Sequence, residues 1–190
     1  MHVALATLKH QDAVFGLIEE ARTWLSTFKE TDQWEIPWPT EEARVARVLA
    51  GLRNGKTWIV WHGDIPAATV TIANQANPRV WSKPESTCDL NERAVYVHRL
   101  ITARNYAGLG LGEELIDWAG LRGRRKHRAK WIRIDVWTSN EALHGYYLKR
   151  GFEPCGNCAD PTYPSGALFQ KPVSMIIKPS FPQFTMSPPS

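Results

Sequence analysis

Apolar residues recur at helical spacing between Gln11 and Lys29, at Val14, Phe15, Leu17, Ile18, Ala21, Trp24, Leu25 and Phe28. This pattern predicts an amphipathic helix. A second stripe, Val45, Val48, Leu49 and Leu52, predicts another. Thr40 is placed to cap it, Glu41 and Glu42 fill its first turn, and Gly55 lies just past its end. The intervening run Asp32-Gln33-Trp34-Glu35-Ile36-Pro37-Trp38-Pro39 is too proline-rich for regular structure. The pattern then changes to two β-rich runs, 56–62 and 65–73, joined by Gly63-Asp64 as a hairpin. The polar stretch 74–93 reads as loop. Beyond it the chain predicts a strand over 94–102, a helix from Gly110 to about Lys126, a strand over 131–137 and a helix over 141–150. Two further strands follow at 152–155 and 166–177, and the Pro/Ser-rich residues 179–190 predict a disordered tail.

Two helices, an antiparallel pair and a strand–helix–strand–helix–strand series predict an α/β fold, a mixed sheet with helices on both faces. Only one crossover unit is present, fewer than a doubly wound dinucleotide domain requires. A chain of 190 residues, 43% hydrophobic and 22% charged, suits one soluble domain, over residues 1–178. No apolar run approaches membrane-spanning length, and the first residues lack a basic region followed by an apolar stretch. Neither a membrane partner nor a secretory signal is therefore expected. Three cysteines are an odd number and too few for a disulfide framework, so a reducing, cytoplasmic setting is expected. Cys155 and Cys158 form a lone C-x-x-C without the second ligand pair zinc needs, so no metal site is expected. The net charge of +4 owes much to the cations of residues 122–130, which complement the dipole at the end of a helix. They lack the aromatic interleaving of a nucleic-acid face, and no nucleic-acid partner is expected.

Candidate chemistry begins where the strand 94–102 gives way to Ala107-Gly108-Leu109-Gly110-Leu111-Gly112-Glu113-Glu114 and a helix. A helix start offers unpaired N–H groups and a positive dipole end, and glycine lets the backbone approach a phosphate. The segment is a candidate pyrophosphate cradle. Glu113 stands where the dinucleotide fingerprint G-x-G-x-x-G needs its third glycine, and the phosphate-loop Gly-Lys-Ser/Thr ending is absent. Asp135 does supply an acid on the next strand, so a nucleotide-dependent oxidoreductase stays as a distant alternative.

Two motifs together resemble the GNAT superfamily of acyl-CoA-dependent N-acetyltransferases. The family pattern Gln/Arg-x-x-Gly-x-Gly/Ala aligns with residues 107–112, with Ala107 in place of the usual Gln/Arg. The second motif is Asn140, a tyrosine seven residues on at Tyr147, and Gly151-Phe152 closing the helix. The order of elements agrees from about residue 3 to residue 172. The resemblance implies a mostly antiparallel twisted sheet in which two central strands splay apart around the cofactor, acetyl-CoA. It implies that Leu100, Ile101 and Thr102 offer backbone groups to the pantetheine arm. Gly108, Leu109, Gly110, Leu111, Gly112 and Glu113 would bind the pyrophosphate, and Asn140 would contact the pantetheine. Dimers are common in the family, so a homodimer is an expected assembly.

The implied reaction is attack of an amine on the acetyl thioester. A free alkylamine has a pKa near 10, so a base must take its proton, and the departing thiolate needs one back. Tyr147 is the candidate acid and, by the resemblance, also a cofactor contact. His98 and Asp135 compete for the base: an acid in an apolar strand needs a reason, and an imidazole titrates near neutrality. The structural alternative for Asp135 is a pairing with Arg99 or Arg133. Trp34 and Trp38, with Asp32 and Glu35 beside them, are candidates to line the acceptor pocket, aromatics near acids suiting an ammonium group. The expected acceptor is a small-molecule amine. A peptide N-terminus is the alternative, and a non-catalytic acyl-CoA-binding module is the reading from a different class.

Overall fold

The computed structural model describes residues 1–29, 31–35, 37–82, 87–176 and 185–186. They fall into two compact units, the described residues of 1–72, 99–115 and 185–186 in the first and those of 73–98 and 116–176 in the second. The chain passes from one unit to the other inside strand β3 (Ile65–Ala73), inside strand β4 (Ala94–Thr102) and inside helix α3 (Leu111–His127).

In the first unit, β1 (His2–Leu5) pairs antiparallel with β2 (Thr57–His62), Val3 opposite Val60. Strand β2 pairs antiparallel with β3 (Ile65–Ala73), with a bulge at Val60–Trp61. Helix α1 (Gln11–Phe28) follows its apolar stripe and buries Val14, Leu17 and Leu25. Helix α2 (Glu41–Arg53) starts as predicted: the Thr40 hydroxyl accepts the Ala43 N–H at 3.2 Å, and Val48 and Leu52 are buried. Val14, Val48 and Leu52 pack with Ala6 and Ile59 into one cluster, while Leu17 joins Ile101 and Ala103 in another.

The second unit is built on the order β4–β5–β7–β6, with β5 (Trp131–Val136), β6 (Glu153–Asn157) and β7 (Ala167–Pro172). Strands β4 and β5 are parallel; β5 with β7 and β6 with β7 are antiparallel. The β4–β5 ladder runs from Ala94–Trp131 to Val97–Ile134. Helix α4 (Glu141–Leu148) follows β5. The fold is thus mixed α/β with mostly antiparallel pairing.

The structure differs from the sequence reading at four points among the described residues. Strand β1 was not predicted, because four residues are too few for alternation to show. Strand β7 ends at Pro172, not at Ile177, and a 3₁₀ turn follows over Val173–Met175; proline lacks the N–H a ladder needs. Ile177 and most of the 179–190 tail lie outside the described residues; the backbone of β8 (Thr185–Met186) runs parallel to β1. Cys155 is disulfide-linked to Cys88, with Cα atoms 5.4 Å apart, so the reading of three reduced thiols is corrected for this pair. Cys158 is the free thiol and donates to the Arg79 carbonyl at 3.3 Å. No helix among the described residues is long and apolar enough to cross a membrane.

Packing of α3 on β4 depends on a missing side chain. A Cβ at Gly123 would overlap both methyl groups of Val95, which is fully buried and has one stiff rotamer axis. Gly123→Ala is expected to destabilise the protein by about 1–3 kcal/mol despite alanine's better helix propensity. Gly16→Ala, in exposed α1 with no atom near its Cβ, is expected to stabilise by up to about 1 kcal/mol. Denaturant titration of the two variants against wild type checks both signs.

Candidate functional site

The cradle belongs to the first unit. After β4 a short 3₁₀ turn over Arg104–Tyr106 leads to Gly108 and Gly110, at φ +80° and +77°. A Cβ at either would meet nothing within 4 Å. The left-handed torsion, not crowding, is what asks for glycine here, and the space beside the backbone is open. The α3 ladder opens with the Glu114 N–H donating to the Gly110 carbonyl at 3.1 Å. The N–H groups ahead of it therefore point out of the helix end. Open space, two turned glycines and outward N–H groups fit a pyrophosphate. The same turn carries Glu113 and Glu114, and the Glu114 carboxyl is pushed up by burial and then by Glu113. Anion binding at this end would thus rest on backbone N–H groups.

Just upstream, β4 bends at Arg99, a non-glycine residue at φ +48°. The Arg99 Nε donates to the Thr71 hydroxyl at 3.4 Å. Of the predicted pantetheine contacts, Ile101 is buried against Leu17, while Leu100 and Thr102 are half-buried.

The proton-transfer candidates all lie in the second unit. His98 and Asp135 are the next residues on each strand after the last ladder pair, Val97 and Ile134. Their side chains leave the same sheet face on adjacent strands, so a parallel ladder brings them together. His98 Nδ1 lies 3.0 Å from Asp135 Oδ1, an ion-pair contact, with His98 24% and Asp135 6% exposed. The Tyr163 hydroxyl donates to Asp135 Oδ2 at 2.6 Å. Burial pushes the Asp135 carboxyl up, but His98 and then the Tyr163 hydroxyl outweigh it and hold the carboxyl below its ordinary range. The two candidate bases therefore touch one another.

The arginines proposed as partners of Asp135 bond elsewhere. Arg133, fully buried, donates to the Tyr96 hydroxyl at 3.0 Å, to Gln170 at 3.4 Å and to the Asp89 carbonyl at 2.7 Å. Tyr163 was missed by the sequence reading. It sits in a Pro-Thr-Tyr-Pro turn between β6 and β7, and no spacing rule links it to Asp135.

Asn140 caps α4, its Oδ1 accepting the Leu143 N–H at 3.0 Å. One α4 face carries Tyr147, 8% exposed, with ring edges to Tyr146 at 5.2 Å and Phe152 at 5.3 Å. Burial, then Tyr146 and Asp135, push the Tyr147 phenol well up, against a weaker opposing pull from Arg150. Tyr146 is covered by the Arg150 guanidinium at 3.5 Å, a packing role that separates it from its neighbour. The two loop tryptophans take packing positions: Trp34 lies against the Leu17–Ile101–Ala103 cluster and Trp38 stacks with Arg47 at 5.7 Å. Among the described residues, no group of three His, Cys, Asp or Glu is placed to hold a metal ion.

The model of the acetyltransferase (GNAT) family matches residues 19–152, more than half of the chain. The chain is 26% identical over 171 residues to the uncharacterized N-acetyltransferase YesJ of Bacillus subtilis (strain 168), covering 89% of this chain and 88% of that one. Among solved structures, a GNAT-family acetyltransferase from Listeria monocytogenes 4b F2365 superposes with a TM-score of 0.69 at 22% identity, over 90% and 93% of the two chains. The PaiA N-acetyltransferase of Thermoplasma acidophilum, solved in complex with coenzyme A, superposes with a TM-score of 0.62 at 13% identity, over 90% and 98%.

A carboxyl held below its ordinary range stabilises the fold above that range, and this contribution is lost as pH falls through the folded value. Asp135→Asn is expected to lower stability at pH 7 by about 1–3 kcal/mol. The gap to wild type should narrow as pH falls below about 4. Thermal melts of both proteins from pH 7 to pH 3 check this.

Proposed function

This chain belongs to the GNAT acetyltransferase family, and on that premise we propose that it moves an acetyl group from acetyl-CoA to a small-molecule amine. The observation that carries the reading is the His98–Asp135 contact at 3.0 Å, a carboxylate set against an imidazole on adjacent strands. When bound, acetyl-CoA supplies the acetyl thioester and a thiolate leaving group. The backbone N–H groups of residues 108–113 would hold its pyrophosphate, and Leu100–Thr102 would face its pantetheine arm.

In this reading His98 is the base. Its imidazole takes the proton of the attacking ammonium, directly or through one water, on the ring nitrogen turned away from Asp135. Asp135 fixes the imidazole and stabilises the imidazolium that forms, as a carboxylate does behind any catalytic histidine. The choice between the two candidate bases follows from exposure: His98 is about a quarter exposed and Asp135 is nearly enclosed.

Tyr147 is the acid. Its raised pKa keeps the phenol protonated across the neutral range, so the proton is always present. A thiol's own pKa is near 8.5, lower than that phenol, so full transfer to the thiolate is uphill. Tyr147 therefore acts first as a hydrogen-bond donor as charge develops on sulfur.

Release of free thiol from acetyl-CoA across a panel of amines and short peptides tests the reading. Turnover is expected with at least one amine. Tyr147→Phe should cut kcat about 10- to 100-fold while CoA affinity stays within about twofold. Gly110→Ala, forced into a left-handed torsion, should weaken CoA about 10-fold or more by calorimetry. CoA binding with no acceptor turned over would overturn the catalytic reading, and absent CoA binding would overturn the whole.

A further inference from the structure

A carboxylate can rotate about its last bond, and a base pair works only if that rotation is stopped. The turn between β6 and β7 supplies the stop. We propose that the Tyr163 hydroxyl is a positioning group that locks the Asp135 carboxylate in the orientation facing His98. This rests on the reading of His98 and Asp135 given above and extends it to a residue in a turn that no motif includes.

The geometry divides the two oxygens. Oδ1 faces His98 Nδ1 at 3.0 Å, and Oδ2 accepts from Tyr163 at 2.6 Å. A hydroxyl donating to a carboxylate at that distance is a strong, charge-assisted bond. With Oδ2 held, a swing of the carboxylate away from His98 must break it.

The donor is itself fixed from both sides. The Tyr163 N–H donates to the Asp160 carbonyl at 3.1 Å, and Asp160 Oδ1 accepts the Thr162 N–H at 3.0 Å and hydroxyl at 2.6 Å. The Thr138 N–H, just beyond β5, donates to the Pro164 carbonyl at 2.8 Å. The Gly166 N–H donates back to the Thr138 hydroxyl at 2.9 Å. A Cβ at Gly166 would stand 3.0 Å from that hydroxyl and 3.3 Å from the Tyr163 carbonyl, so the turn closes tightly on the end of β5. The Tyr163 ring packs on the buried cluster of Val80, Trp81, Tyr96 and Leu168. Ring, backbone and hydroxyl are thus all placed before any substrate arrives, which is what preorganisation means.

The charged and titratable groups around Asp135 are few. His98 faces it from β4 and Tyr163 from the turn, and Tyr147 on α4 feels its charge. Arg133, the preceding residue on the same face of β5, is engaged by Tyr96, Gln170 and Asp89. Arg150 acts on Tyr147. Removing the Tyr163 hydroxyl frees the carboxylate to turn away from His98, so the imidazolium loses a fixed counter-charge and gives up its proton more easily.

The test is an NMR titration of the His98 imidazole, assigned by its loss in His98→Gln, in wild type and Tyr163→Phe. The expected result is a downward shift of the His98 titration by about 0.5 unit or more, as the carboxylate leaves its place against the ring. The same substitution made in Asp135→Asn should produce no such shift, since the group it acts through is gone. Site-specific 4-aminophenylalanine at position 163 keeps the ring's place with a weaker N–H donor; it should give a smaller downward shift, and serves if Tyr163→Phe does not fold. An unchanged titration in a folded Tyr163→Phe, or an equal shift with and without Asp135, would overturn the proposal. This readout needs no turnover, so it stands apart from the acetyl-transfer reading. If turnover is found, the acid limb of kcat against pH should move to lower pH in parallel, whereas a merely structural tyrosine would lower Tm and leave that limb in place.

Discussion

A carboxylate enclosed in the middle of a strand must be met by donors, because an unpaired buried charge costs several kcal/mol. Asp135 is that carboxylate. It accepts from a phenol of the β6–β7 turn and stands in ion-pair contact with an imidazole from β4, and each contact involves a different part of the second unit. The His98 contact requires the parallel register of β4 and β5. The Tyr163 contact requires the turn to close over the end of β5. The carboxylate proposed to back the base is therefore also one the local fold cannot ignore.

Buried charge elsewhere in the same unit is handled differently, and the contrast is informative. Arg133 is fully buried and spends its guanidinium on a phenol, an amide and a backbone carbonyl. Lys171 meets Asp117 at 3.1 Å, both largely enclosed. Arg133 has the look of a structural group, its donors matched to protein oxygens. His98 differs from it in keeping about a quarter of its side chain open to solvent. An imidazole with one nitrogen against a carboxylate and exposed surface to spare is arranged to exchange a proton.

Much of this was legible in the sequence, for reasons that differ by element. Helices α1 and α2 announce themselves because their buried faces need apolar residues every three to four positions, and Thr40 marks a start that the Ala43 N–H bond bears out. The glycine turn was legible because Gly108 and Gly110 occupy torsions other residues avoid. The partner of Asp135 was not: Arg99 and Arg133 are as near in sequence logic as His98, and only the register of a parallel ladder chooses among them. Tyr163 was beyond reach, since its contact spans 28 residues and depends on how a proline-flanked turn folds back. The pairing of Cys155 with Cys88 was hidden for the same reason, a separation of 67 residues with no local pattern.

The central claim is that His98, backed by Asp135, is the base of an acetyl transfer. The most direct measurement is kcat against pH for wild type and Asp135→Asn with the best acceptor amine. Removing the anion destabilises the imidazolium, so the acid limb should move to lower pH while the plateau falls by about 10-fold or more. A profile with its acid limb and plateau unmoved by that substitution would contradict the account.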